Sequence, residues 1–216
     1  MRSRLAANLG ADFRELPIDD DRTTGSTSVL AESFAGLEHD LTEENLQARI
    51  RGTMLMALSN KFGWLVVATG NKSELSVGYA TLYGDLAGGF ALIKDVFKTD
   101  VFRLARHLNE RAGEELIPQT IIDRAPSAEL RDNQLDEDSL PPYSAARRGA
   151  RRLRRGGPLR RGARARTASI RTSSSAPCAM IDRAEYKRRQ APPGVRLRQK
   201  AFGRDRRTPI TNRWRG

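Results

Sequence analysis

The 216-residue chain is long enough to bury one α/β-sized core; its single cysteine, Cys178, excludes a disulfide framework, and two distant histidines, His39 and His107, exclude a Cys/His-rich zinc site. Its formal net charge of +12 is segregated: residues 1–143 carry 15 Lys+Arg against 23 Asp+Glu, residues 144–180 carry 11 Arg and no acid, and residues 181–216 carry 12 basic against 3 acidic residues. A mildly acidic body thus precedes a basic third, no apolar stretch approaches the ~20 residues of a membrane span, and the cysteine usage suits a reducing cytoplasm.

In chain order, Ser3 to Leu9 suits a short helix with Ser3 as its cap and Gly10 as its left-handed exit, and Phe13 to Ile18 alternates as a strand before the acidic run at 19–21. Residues 21–36 read as a loop or insert. Thr42 is placed to cap a helix whose first turn holds Glu43 and Glu44, acids favoured at the positive end of the helix dipole. Leu46, Ile50, Met54 and Leu58 recur every fourth residue, and with Ala57 and Phe62 they predict a buried stripe ending at Gly63. The apolar run Trp64 to Ala68 is the pattern of a parallel strand covered on both faces. A loop at 69–73 leads to Glu74, Leu75, Ser76 and Val77, a Gly-rich stretch spans 84–89, and a further helix starts near Thr99. That helix is expected to bury Val101, Phe102, Ala105 and Leu108 and to stop before Gly113.

After Tyr143 the texture changes to Arg, Ala, Gly and Ser, with no lysine, acid or aromatic until Met180. Such a segment cannot bury enough apolar area to offset its ordering entropy, so 144–180 is expected to be disordered. Balanced sequence with aromatic residues returns from Ile181.

Ligands of doubly wound sheets bind beyond the carboxyl ends of the strands, which points to the residues after Ala68: Thr69, Gly70, Asn71, Lys72, Ser73 and Glu74. A hydroxyl, a flexible glycine and a carboxylate there suit a ribose or a Mg²⁺–phosphate group, and the glycines at 84–89 let backbone amides approach an anion. Without further context, a polar turn linking two elements is the commoner explanation of such a run.

Several longer motifs supply that context. Residues 42–52 (TEENLQARIRG), 68–74 (ATGNKSE), 78–85 (GYATLYGD), 126–130 (PSAEL), 136–143 (DEDSLPPY) and 185–190 (EYKRRQ) occur in one order. Together they resemble the carboxyl-terminal synthetase domain of glutamine-dependent NAD⁺ synthetases. The resemblance covers most of 1–143 and 181–216 and fails over about 144–180. It implies a three-layer α/β fold with a parallel sheet, of the adenine-nucleotide alpha hydrolase (N-type ATP pyrophosphatase) type. The substrates it implies are ATP, deamido-NAD⁺ and ammonia drawn from glutamine, with Mg²⁺ as companion ion. Carried onto matching positions, it assigns Thr69, Lys98 and Ser127 to ATP, and Asn45, Arg49, Glu74, Asp85 and Lys187 to deamido-NAD⁺. The resemblance also assigns Glu74 to the metal. Lys94 competes with Lys98 for the phosphate role, and each of these side chains has a plainer alternative as a cap or solvated surface group.

The resemblance further implies a partial synthetase domain at 1–143, rejoined by a carboxyl-terminal segment at 181–216. The family's first strand and its Ser-Gly-Gly-x-Asp-Ser phosphate loop have no counterpart in this sequence, nor has the family's glutaminase domain, so little activity is expected of the chain alone. Eleven arginines without a lysine over 144–180 are what GC-rich codons yield when read out of frame. A homo-oligomer is the expected assembly, without membrane or specific nucleic-acid partners. An Arg-rich nucleic-acid-binding role is the alternative from another class. Another amidating ATP pyrophosphatase, such as a GMP synthetase, fits the motifs around Asn45, Thr69 and Glu74 less well.

Overall fold

The computed structural model describes residues 2–16, 18, 29–130, 134–136, 140, 143, 180–203, 205, 207 and 209–210. The Arg-rich segment lies outside the described residues except for Met180. Helix α1, Arg2–Asn8, starts one residue before the expected Ser3 cap and is followed by left-handed Gly10. Residues 11–16 run without a ladder, so the strand expected at 13–18 is not formed among the described residues. Arg14 instead lies over the stacked rings of Phe62 and Trp64, 6.0 and 5.3 Å from their centroids.

Helix α2, Leu41–Phe62, ends at left-handed Gly63 as its sequence predicts. Its cap is Asp40 rather than Thr42: the Asp40 carboxylate accepts from Thr42 N at 2.7 Å, and Glu43 accepts from Asp40 N at 2.8 Å, completing a capping box. The expected stripe is only half-buried, Ala57 and Phe62 are exposed, and Ala48 and Gly52 are the buried residues. The reason is a backbone-to-backbone approach. A Cβ on Gly52 would lie 3.0 Å from the carbonyl oxygens of Tyr83 and Gly84, and one on Gly84 would lie 3.0 Å from Ala48. The helix is therefore seated on the 83–84 turn through its smallest residues, and its larger apolar side chains flank that contact.

Strand β1 comprises only Val67–Ala68, paired in parallel with β2, Phe90–Ala91, in the register Val67 to Phe90 and Ala68 to Ala91. The expected two-sided burial of 64–68 does not hold. Ala68 is buried, but Leu65 is 68% and Val67 45% exposed, because among the described residues the sheet has two strands and no second layer over that face. Between the strands lie α3, Lys72–Val77, and the turn around Gly84. Helix α4, Lys98–Ala112, stops at left-handed Gly113, but none of its residues is fully buried and Leu108 is exposed. A short α5, Gln119–Asp123, follows, and α6, Glu185–Gln190, closes the regular structure.

The core joins three parts of the chain: Val77 and Phe97 from the body, Leu140 and Tyr143 from the motif before the Arg-rich segment, and Ile181 beyond it. Phe97 and Ile181 are fully buried. Residues 191–194 then run beside β2, with Ala91 N donating to Pro193 O at 2.8 Å. Among the described residues no helix is long and apolar enough to cross a membrane.

Candidate functional site

The expected site residues fall into two neighbouring groups joined by α3. The first is built on the turn from β1 into α3. Asn71 caps the helix: its Oδ1 accepts from Ser73 N at 2.9 Å and Glu74 N at 3.2 Å, while Glu74 Oε2 accepts from Asn71 N at 3.0 Å. This fixes Glu74 in the first turn of α3, where the helix dipole favours a carboxylate. Its other oxygen, Oε1, accepts from Lys98 Nζ at 3.1 Å, and Ser73 Oγ accepts from Lys98 N at 3.1 Å, so α3 and α4 start side by side. Both members of the Glu74–Lys98 pair keep partial access to solvent.

The competing lysine is otherwise engaged. Lys94 Nζ donates to the carbonyls of Ala191 and Pro192, at 3.4 and 2.5 Å, and burial lowers its pKa. Above Lys98, at 5.9 Å from Nζ, lies the ring of Tyr143, whose hydroxyl donates to Asp136 Oδ2. Burial, and then the Asp136 carboxylate, push the Tyr143 phenol far up, so it stays a proton donor throughout the usual pH range. Asp136 Oδ1 is buried and has no hydrogen-bond partner among the described residues.

The second group lies on α2 and the loop after α3. Thr81 Oγ1 donates to Asn45 Oδ1 at 2.9 Å, Thr81 N donates to Asp85 Oδ1 at 2.8 Å, and Arg49 Nε donates to Leu82 O at 3.2 Å. Lys187 Nζ reaches the same loop from α6, donating to Gly78 O at 2.8 Å and Ala80 O at 2.7 Å. Burial lowers the Lys187 pKa, and the nearby Asp85 carboxylate partly offsets that. Gly78 admits this approach, since a Cβ there would lie 2.8 Å from Ala184 Cβ. Asn45, Arg49, Asp85 and Lys187 are thus brought to one loop. Glu74 O, accepting from Gly78 N and Tyr79 N, ties that loop to the first group.

Two expected residues stand apart. Thr69 is exposed at the carboxyl end of β1, and Ser127 Oγ accepts from Glu129 N at 3.1 Å, a local turn after α5. Four contributors, Asn71, Thr81, Asp136 and Tyr143, were given no role of their own in the sequence reading. Asn71 was legible, because Asn-x-x-Glu before an apolar pair is a capping-box signal. Thr81 and the Asp136–Tyr143 pair gave no such signal, since each acts through a partner distant in sequence.

A family model described as NAD synthase matches residues 2–191. The chain belongs to the NAD synthase family. It is 51% identical over 211 residues to the glutamine-dependent NAD(+) synthetase of Thermotoga maritima, an alignment covering 98% of this chain and 36% of that protein. With the Rhodobacter capsulatus glutamine-dependent NAD(+) synthetase it is 43% identical over 98% of its length and 39% of the relative's. Among solved structures it resembles the glutamine-dependent NAD⁺ synthetase of Acinetobacter baumannii in complex with ADP, at 39% identity and TM-score 0.55, over 96% of this chain and 36% of that one. The Cytophaga hutchinsonii glutamine-dependent NAD(+) synthetase superposes at TM-score 0.68 over 98% of this chain and 36% of that one, at 22% identity, a likeness of fold. These neighbours place the chain in the α/β adenine-nucleotide alpha hydrolase fold. The chain spans about a third of the length of these NAD synthase relatives.

Proposed function

We propose that this chain forms the ATP- and deamido-NAD⁺-binding part of a glutamine-dependent NAD⁺ synthetase. The reaction activates the nicotinate carboxylate: its oxygen attacks the α-phosphorus of ATP and pyrophosphate leaves, and ammonia from glutamine then displaces AMP to give the amide. A free carboxylate is a poor electrophile, which is why adenylation comes first. The observation that carries this reading is the Glu74–Lys98 pair at the strand end, next to the loop that gathers Asn45, Arg49, Asp85 and Lys187. In it, Lys98 offers positive charge to ATP phosphates, and Thr69 and Ser127 serve ATP from the flanking loops. Asn45, Arg49, Asp85 and Lys187 line the dinucleotide side, with Glu74 between the two substrates.

The described residues form no preformed cage for Mg²⁺. Among the described residues no group of three His, Cys, Asp or Glu side chains converges, and both Glu74 oxygens already accept hydrogen bonds. In this reading the ion arrives with the phosphates of ATP.

The finer fold reading is a synthetase domain over 1–143 and 181–216, interrupted at 144–180, with a sheet lacking its first strand and phosphate loop. Two-residue strands and the exposure of Leu65 and Val67 support it. A glutaminase domain and further copies of the chain are the partners in this reading, the cytoplasm its setting.

The test is ligand binding rather than turnover. Calorimetry should detect ATP and deamido-NAD⁺ binding, while NAD⁺ formation from ATP, deamido-NAD⁺ and ammonia stays at background. Lys98→Ala should weaken ATP binding roughly tenfold to a hundredfold, the worth of a charge-assisted contact. Lys94→Ala should leave ATP affinity unchanged. Equal losses in the two variants, or no binding by the unaltered chain, would contradict the reading.

A further inference from the structure

Thr81 belongs to no role assigned above, yet it touches both sides of the dinucleotide loop. It is 8% exposed, its backbone N–H is spent on Asp85, and its hydroxyl proton is spent on Asn45 Oδ1. A side-chain amide has one acceptor end and one donor end. With the acceptor end held by Thr81, what Asn45 has left to offer is its two N–H bonds. Arg49 lies one helical turn further on the same face of α2 and has no acceptor at all. Its Nε is held by Leu82 O, the carbonyl next to Thr81, and its Nη groups take no part in that contact. Asp85, the carboxylate of the group, accepts at Oδ1 from Thr81 N.

We propose that Thr81 is a positioning residue that fixes Asn45 as a donor, so that Asn45 and Arg49 present a donor-only face for an anionic oxygen group of the dinucleotide, its carboxylate or its diphosphate. This rests on the reading that the α2 face takes deamido-NAD⁺. It adds a selection rule to that reading: a ligand group carrying its own N–H at this position is left facing donors, an unpaired arrangement that costs affinity.

The experiment compares deamido-NAD⁺, NAD⁺ and ADP-ribose by calorimetry on the full chain and on Thr81→Val, Thr81→Ser and Asn45→Asp. It adds the side-chain amide NMR signals of Asn45, identified by their loss in Asn45→Asp. Thr81→Val, which keeps shape and loses the hydroxyl, should weaken deamido-NAD⁺ binding about tenfold and shift the Asn45 amide signals. Thr81→Ser should stay within about twofold of the unaltered chain by retaining the bond. Asn45→Asp, which turns the donor end into an acceptor, should lose at least about tenfold even if Thr81→Val folds poorly. A loss confined to deamido-NAD⁺ assigns the face to the carboxylate, and one shared by all three ligands assigns it to the diphosphate. The proposal is overturned if Thr81→Val binds like the unaltered chain, if Thr81→Ser loses as much as Thr81→Val, or if the Asn45 signals do not move. An unaltered chain that binds none of the three overturns the site reading itself, and the NMR comparison then still decides whether Thr81 orients Asn45.

Discussion

Arg188→Ala is expected to destabilise the chain by about 3–5 kcal/mol, a large share of the roughly 5–15 kcal/mol that holds a domain of this size together. The guanidinium is buried and donates to Leu75 O at 3.2 Å, Ser76 O at 2.9 Å, Ile181 O at 2.6 Å and Glu185 Oε2 at 3.0 Å, while its Cζ lies 4.6 Å from the Phe202 ring centroid. It thus satisfies the last carbonyls of α3, which have no intrahelical donor, and fastens the segment after residue 180 to the body. Removing it strands those carbonyls and leaves the buried Glu185 carboxylate with Arg189 as its remaining cationic partner. Urea denaturation measures the loss, and a change below about 1 kcal/mol would refute the assignment of Arg188 as a buried clamp. Arg188→Lys should recover little, because a single ammonium cannot serve four acceptors spread across a planar fork.

The same clamp sets an acid limit. Burial raises the Glu185 carboxyl, but hydrogen bonds from Arg189 and Arg188, with their charges, outweigh it and hold the pKa below its usual 4.5. A depressed folded-state pKa contributes stability that is present above the unfolded value and lost as pH falls through the folded one. The stability from Glu185 should therefore be complete above pH 4.5 and decline below it. In Arg188→Ala the carboxyl loses part of that depression, so the decline below pH 4.5 should be shallower, and urea midpoints followed from neutral pH downward would show it. Coincident profiles would contradict this account.

Asp95→Ala is the second substitution with a large expected effect, also about 3–5 kcal/mol. Asp95 and Lys72 form an ion pair with both side chains 3% exposed. The other oxygen of Asp95 accepts from Leu197 N and Arg198 N at 2.9 and 2.8 Å, and Lys72 Nζ also donates to Lys200 O at 3.0 Å. Deleting the carboxylate takes from the buried Lys72 ammonium its charged partner and from the amides of Leu197 and Arg198 their acceptor, the costly half of a broken pair. The double variant Lys72→Met with Asp95→Leu should recover part of the stability, since it removes both charges at similar volume, but not all, because the two amides stay unpaired. Lys72 opens α3 and directly follows the Asn71 cap, so Asp95→Ala should also loosen Glu74 and lower ATP affinity. Denaturation and calorimetry on one set of variants would test both effects. An Asp95→Ala protein as stable as the unaltered chain, or a double variant worse than the single, would count against the argument.

What could be read from sequence follows the range of the forces involved. The end of α2 at Gly63, the end of α4 at Gly113 and the acids in the first turn of α2 are local features, and they are where the residues place them. The cap of α2 moved from Thr42 to Asp40 because both can accept from the first turn and only the backbone angle of residue 40 decides. Burial was misjudged at 64–68 and along α2. Apolar spacing states which residues would prefer cover, but the cover itself comes from other layers. Among the site residues, the resemblance pointed to Lys98 and Lys187. Their partners, Glu74 at a separation of 24 residues and Gly78 at 109, exist only through space. Thr81 lay inside a recognised motif, yet its two hydrogen bonds have no periodicity to announce them.

The contact of Ile181, Arg188 and Pro193 with the body has a consequence for how the chain is made. Translation delivers residues 72 to 97 long before their later partners, so a nascent chain must carry the Leu75 and Ser76 carbonyls without Arg188, Asp95 without the Leu197 and Arg198 amides, and an open flank on β2 while more than eighty further residues are added. Completion of this half of the molecule is thus a late event in synthesis. Until it happens, the turn that leads into α3 is exposed to proteases and chaperones.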